Sequence, residues 1–199
     1  MEEENQQSSI IFKVFSLYKK YGDNDYLGEP VNQLEHATQC AMLAEKEGYS
    51  VEVILGAFLH DIGHLVGKDN NLEDMVTDGV IIGTQDHDKV GEIFLKDLGF
   101  PKAITDFVRG HVSAKRYLVA KKPGYYDQLS SASKMTLVHQ GGPMSEDEAT
   151  TFEKLENFEA ILRMRSWDEQ AKIENMVIDP LDKYEAMCKT YLNNLKISV

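Results

Sequence analysis

Apolar residues recur at three- and four-residue intervals along most of the chain, and nowhere do they alternate convincingly with a period of two. Ile11, Phe12, Phe15 and Tyr18 predict a helix over 10–21. The stretch GDNDYLGEP (22–30) is dense in turn formers and reads as a loop. A second helix over 31–48 has Leu34, Thr38, Ala41 and Leu43 on its inner side and Gly48 as its stop. Ser50 is an N-cap candidate for a third helix, expected to run through Leu55, Leu59 and His60-Asp61 and to end near Gly63. Residues 65–84, rich in Gly, Asp and Asn, hold no sustained period and read as an irregular excursion with one short helix; long connections of this kind are often functional. Further helices are predicted over 86–98, 101–119, 130–139, 157–172 and 180–195, with a turn at 121–126 and a stop at Gly141-Gly142-Pro143. Ser145 and Glu148 form a capping-box pattern that opens one more. The expectation is all-α: one compact helical-bundle domain over 1–199, its core in 31–172 and its terminal helices packed on that core.

Composition narrows the setting. A hydrophobic share of 42% with 27% charged residues is ordinary for a soluble globular chain. Two distant cysteines, Cys40 and Cys188, suggest a reducing compartment rather than a disulfide scaffold. No apolar run approaches the ~20 residues of a membrane span, and the polar start MEEENQQSSI argues against a signal peptide, so a cytoplasmic location is expected. The net charge of −12 disfavours a polyanionic nucleic-acid partner. A small anionic ligand would need local cations to overcome that field.

The chemistry gathers around AFLHDIGH (57–64), where an apolar run ends in His60, Asp61 and His64. Five of the six histidines, His36, His60, His64, His87 and His111, fall on predicted helices or their ends. Imidazoles with carboxylates suit Zn, Fe, Mn or Ni better than Ca or Mg. A carboxylate among them can bridge two ions, and a bundle core can supply such ligands from facing helices. The order His36, His60-Asp61, His87, His111, Asp168 resembles the HD-domain superfamily in its two-metal form. That resemblance implies one metal on His36, His60, Asp61 and Asp168 and another on Asp61, His87 and His111, with Asp61 as the bridge. The same ligand set serves phosphohydrolases and a smaller oxygenase branch.

Five further blocks look like the oxygenase branch: DYLGEPVNQLEH (25–36), FLHDIGH (58–64), GHVSAKRYLV (110–119), QGGPM (140–144) and RSWDEQAK (165–172). They resemble the 2-amino-1-hydroxyethylphosphonate dioxygenases, mixed-valent di-iron enzymes related to myo-inositol oxygenase. The resemblance implies an Fe(II)/Fe(III) pair and O₂ as co-substrate. It also implies cleavage of the carbon–phosphorus bond of a 1-hydroxy-2-(amino or trimethylammonio)ethylphosphonate, to phosphate and glycine or glycine betaine. An upstream hydroxylase would supply that substrate. By resemblance Tyr26 occupies the open metal position until substrate arrives, Glu29 pairs with the substrate ammonium, and Ser133 hydrogen-bonds the phosphonate. Lys115 lies four residues after His111 and Arg165 three before Asp168, so each shares a helical face with a ligand and aims a cation toward it. By resemblance His64 contacts the substrate hydroxyl or relays a proton; the alternative is a helix-terminal residue interacting with the dipole. His139 lies outside these blocks and reads as structural. The alternative is a two-metal HD phosphohydrolase acting on a nucleotide or phosphomonoester, whose activity would be independent of O₂. A metal-binding scaffold without turnover is a third class. The 65–86 segment is several residues longer than the corresponding connection in the amino-phosphonate enzymes.

Overall fold

The computed structural model describes residues 2–26 and 28–197, and the apolar periodicity reappears in it as eleven helices. α1 (Glu2–Tyr21) leads through a loop into α2 (Gln33–Lys46), which opens on a capping box formed by Asn32 and Glu35. α3 (Val51–Leu59) and α4 (Ile62–Asp69) follow, then α5 (His87–Asp97) and α6 (Lys102–Lys121). The short α7 (Tyr125–Gln128), α8 (Ser131–His139) and α9 (Glu146–Phe152) precede α10 (Phe158–Gln170) and α11 (Leu181–Ile197). The capping box expected at Ser145 and Glu148 opens α9. Ser50 stands at the N-cap of α3 in extended conformation but makes no side-chain cap bond.

α2, α3, α5, α6 and α10 pack side by side, with α1 and α11 laid across α3. Burying the outer pair is aromatic work. Phe58 of α3 stacks on Phe15 at 6.0 Å and on Tyr184 at 4.7 Å, and the Tyr18 hydroxyl donates to the Phe58 carbonyl at 3.0 Å. These side chains belong to one continuous apolar core that reaches from α1 to α11.

Two expectations need correction. The third helix does not run through His60-Asp61. α3 stops at Leu59, and Asp61, at φ −102° and ψ 10°, turns the chain before α4 begins at Ile62. His60 and Asp61 therefore stand in a break between two helices, and His64 lies in the first turn of the second. A positive charge on His64 would oppose the dipole at that end, which removes the dipole reading.

The excursion is also not wholly irregular. β1 (Asp74–Thr77) and β2 (Val80–Thr84) form an antiparallel hairpin. Asp78 and Gly79 join them with positive φ at both residues, 51° and 81°, as a type I′ turn requires. His139, the histidine read as structural, holds α8 against this hairpin through a 2.9 Å contact with the Thr77 hydroxyl.

Candidate active site

Four imidazoles meet in the bundle: His36 from α2, His60 at the end of α3, His87 at the start of α5 and His111 within α6. Each Nδ1 faces a backbone carbonyl, that of Ala171 at 2.9 Å, Ala57 at 2.7 Å, Thr84 at 3.3 Å and Val108 at 2.7 Å respectively. A carbonyl only accepts, so each Nδ1 carries the proton and each Nε2 presents a lone pair. Those lone pairs face each other in two pairs, His36 with His60 at 3.2 Å and His87 with His111 at 3.0 Å.

Asp61 stands between the pairs. Its Oδ2 lies 3.6 Å from His36 Nε2 and 3.3 Å from His60 Nε2, while Oδ1 lies 3.6 Å from His87 and 3.1 Å from His111. Asp168 adds an oxygen 3.3 Å from His36 Nε2. All six side chains are buried. Opposed lone pairs and two sequestered carboxylates make a poor arrangement alone and a good one around cations. A donor set of imidazoles and carboxylates suits transition-metal ions.

Two further groups approach the cluster, Cys40 beside His36 and His60, and His64 beside Asp61 and His87. Burial pushes the Cys40 thiol up, which keeps it protonated and a weak ligand. His64 accepts the Thr84 backbone N–H on Nδ1 at 3.0 Å, and burial pushes its pKa down to about 4. The neutral ring then carries its hydrogen on Nε2. His64 is a hydrogen-bond donor facing the cluster rather than a ligand.

A polar cleft of about 60 Å³ opens over the Asp61 side of the cluster. Tyr26, Glu29, His64, Lys115, Ser133 and Arg165 all line it, as do Asp61, His87, His111 and Asp168, with His36 and His60 behind Asp61. Tyr26 donates its hydroxyl to Asp61 Oδ2 at 2.8 Å and stacks its ring on His36 at 4.0 Å. Burial and the Asp61 charge push the phenol up, so it remains protonated. Its loop is held by a backbone bond from Tyr26 N–H to the Val31 carbonyl at 3.0 Å and by close approach of Gly28, at φ 82°, to Ala132.

Arg165 is buried and bonds to Asp168, to Tyr125 at 3.1 Å, to Glu169 at 3.2 Å and to the Ser133 hydroxyl at 3.4 Å. Burial opposes its charge, but Asp168 and its other partners keep it protonated. Lys115 donates to the Thr136 hydroxyl at 2.8 Å, and burial with the nearby Arg165 pushes its pKa down to about 7. For Asp168 burial would raise the pKa, yet Arg165 holds its carboxyl well below the usual range.

Sequence reasoning missed four polar side chains of the cleft: Thr136, Gln140, Lys172 and Gln33. Ser133, Thr136 and Gln140 follow the three- and four-residue spacing of one helical face along α8, which is the signal that could have found the first two. Gln140 Oε1 is buried without a protein partner. Lys172 gives no such signal, because its role depends on a partner far away in the chain. Its Nζ lies 2.5 Å from Glu29 Oε1, which also accepts from the Ser130 hydroxyl at 2.6 Å. The carboxylate expected to receive a substrate ammonium thus already holds one of the chain's own.

Residues 33–187 match the model of the HD domain family. The chain is 41% identical over 85% of its length to a [1-hydroxy-2-(trimethylamino)ethyl]phosphonate dioxygenase (glycine-betaine-forming) of Leisingera caerulea, covering 84% of that protein. It is 32% identical over 92% of its length to a hydroxymethylphosphonate dioxygenase of Gimesia maris, covering 89% of it. An uncharacterised protein, L432, of Acanthamoeba polyphaga mimivirus is 42% identical over 90% of the chain and 80% of its own. Among the described residues no helix is long and apolar enough to cross a membrane. The chain belongs to the HD-domain family and, within it, to the phosphonate dioxygenases.

Proposed function

We propose that this dioxygenase holds two irons, one on His36, His60, Asp61 and Asp168 and the other on Asp61, His87 and His111. With them it cleaves the carbon–phosphorus bond of a 1-hydroxy-2-(amino or trimethylammonio)ethylphosphonate. The observation that carries this reading is the opposed pairs of imidazole lone pairs, each facing its own oxygen of one buried carboxylate. Bound iron would supply the redox chemistry with O₂, and the products would be phosphate with glycine or glycine betaine.

The chain's own residues then bind and orient. Lys115 and Arg165 carry the positive charge that an acidic protein needs to take a phosphonate, and Ser133 adds a hydroxyl beside Arg165. Thr136, now bonded to Lys115, and Gln140, with its unpaired amide oxygen, complete the polar wall. His64 directs its Nε2–H toward the substrate hydroxyl. Tyr26 fills the cleft mouth by donating to Asp61, and it must release that bond when substrate enters. Glu29 would receive the cationic nitrogen in competition with Lys172.

The test is anaerobic mixing of iron-loaded protein with such a substrate, followed by O₂, with phosphate measured throughout. Phosphate should appear only after O₂. O₂-independent phosphate release from a phosphomonoester or nucleotide in place of the phosphonate would move the chain to the two-metal phosphohydrolases, and no release from any 1-hydroxyphosphonate would defeat the reading.

A further inference from the structure

The hairpin β1–β2 ends against α4 at two points, and both depend on a missing side chain. Thr84 packs into the notch left by Gly67, where a Cβ would come within 2.2 Å of its methyl carbon. Its hydroxyl also reaches the His64 carbonyl at 3.4 Å. One residue earlier, Gly83 lies against the Nδ1–Cε1 edge of His64, where a Cβ would come within 2.5 Å of the ring. Gly83 also sits at φ 114°, a backbone conformation that side chains rarely adopt. Between these contacts the Thr84 N–H bonds His64 Nδ1 at 3.0 Å, while His87 stacks on the ring face at 3.9 Å. The imidazole is therefore fixed on an edge, on a face and at one nitrogen, which leaves only Nε2 facing the cleft.

We infer that Gly83 is a positioning residue for His64, and that the end of β2 is the template that aims Nε2–H at the substrate. The 65–86 segment thereby acquires a role: its hairpin brings a strand end onto the first turn of α4. This inference rests on the proposed contact between His64 and substrate.

Gly79, in the turn of the same hairpin, supplies the control. It too has positive φ, 81°, but nothing lies within 4 Å of its Cβ direction. Gly79→Ala strains the hairpin without touching His64. The experiment compares Gly83→Ala, Gly79→Ala, His64→Ala and Gly83→Ala/His64→Ala in the iron-loaded enzyme by phosphate release. Amide hydrogen exchange at Thr84 is followed in wild type and His64→Ala. Gly83→Ala should lower kcat/KM at least about tenfold, the worth of one hydrogen bond. Gly79→Ala should stay within about twofold, and the double variant should be no worse than His64→Ala. The Thr84 amide should exchange faster in His64→Ala. Full activity in Gly83→Ala, equal losses in both glycine variants, or multiplying losses in the double variant would overturn the inference. If wild type releases no phosphate, the dioxygenase reading has failed instead. The exchange measurement then decides the positioning, because unchanged Thr84 protection would overturn it.

Discussion

Replacing Lys115 by methionine removes a buried cation while keeping an unbranched side chain of similar length. Lys115 is buried on α6 with its Nζ on Thr136, facing Arg165 and Lys172 as like charges and Asp61 and Asp168 as opposite ones. One charge-assisted hydrogen bond to a phosphonate oxygen is worth about 1.5–3 kcal/mol. Its loss should raise KM about 10- to 150-fold where the lysine is charged. Because burial and Arg165 push the Lys115 pKa down to about 7, the cation is present below that pH and lost above it. The KM ratio of Lys115→Met to wild type should therefore be large at pH 6. It should fall by up to about tenfold per pH unit above the lysine pKa. Bound metal cations act in the same direction as Arg165, so the bend should lie at or below about pH 7. Taking the ratio cancels the phosphonate's own ionisation, which both proteins meet. Steady-state phosphate release from pH 6 to 9 gives the profile, with circular dichroism to verify the fold. A flat ratio, or one that rises with pH, would refute the assignment of Lys115 as the titrating anion-binding cation.

Three other outcomes follow from specific contacts. Lys172→Met should release Glu29 and lower KM for a substrate with a cationic nitrogen about tenfold relative to hydroxymethylphosphonate, with Glu29→Gln doing the reverse; competition between the two substrates measures both. Gly63→Ala would bring a methyl within 1.8 Å of the His87 carbonyl oxygen, forcing α4 and α5 apart, and should cost about 3 kcal/mol in a urea titration. Dialysis against a chelator should lower Tm, since ligands held at ~1,000 Kd stabilise by ~4 kcal/mol, and zinc should restore Tm without restoring phosphate release.

Much of this was readable from the chain because the relevant signals are local. Helix periods and the cap at Ser145 reflect residues within one or two turns of each other, and the HD ligand order survives without tertiary information. The hairpin was legible too: Asp78-Gly79 lies between Met75-Val76-Thr77 and Val80-Ile81-Ile82, the strongest short-range hairpin signal. It was hidden by continuous apolar runs that showed no alternation, since exposed apolar side chains stand on both faces, Val76 and Ile81 on one and Val80 on the other. The break at Asp61 escaped because Gly63 reads as the stop of one helix, whereas it lies inside the next, which begins at Ile62. The Glu29–Lys172 pair joins residues whose proximity only the folded bundle creates. The His64 tautomer depends likewise on a backbone amide at the far end of the hairpin.

The most direct test of a two-iron centre bridged by Asp61 is metal analysis with electron paramagnetic resonance on partly oxidised, iron-loaded protein. Two irons per chain, giving a coupled mixed-valent signal that disappears in Asp61→Ala, is the predicted result. A single iron per chain, or two that remain uncoupled in wild type, would contradict it.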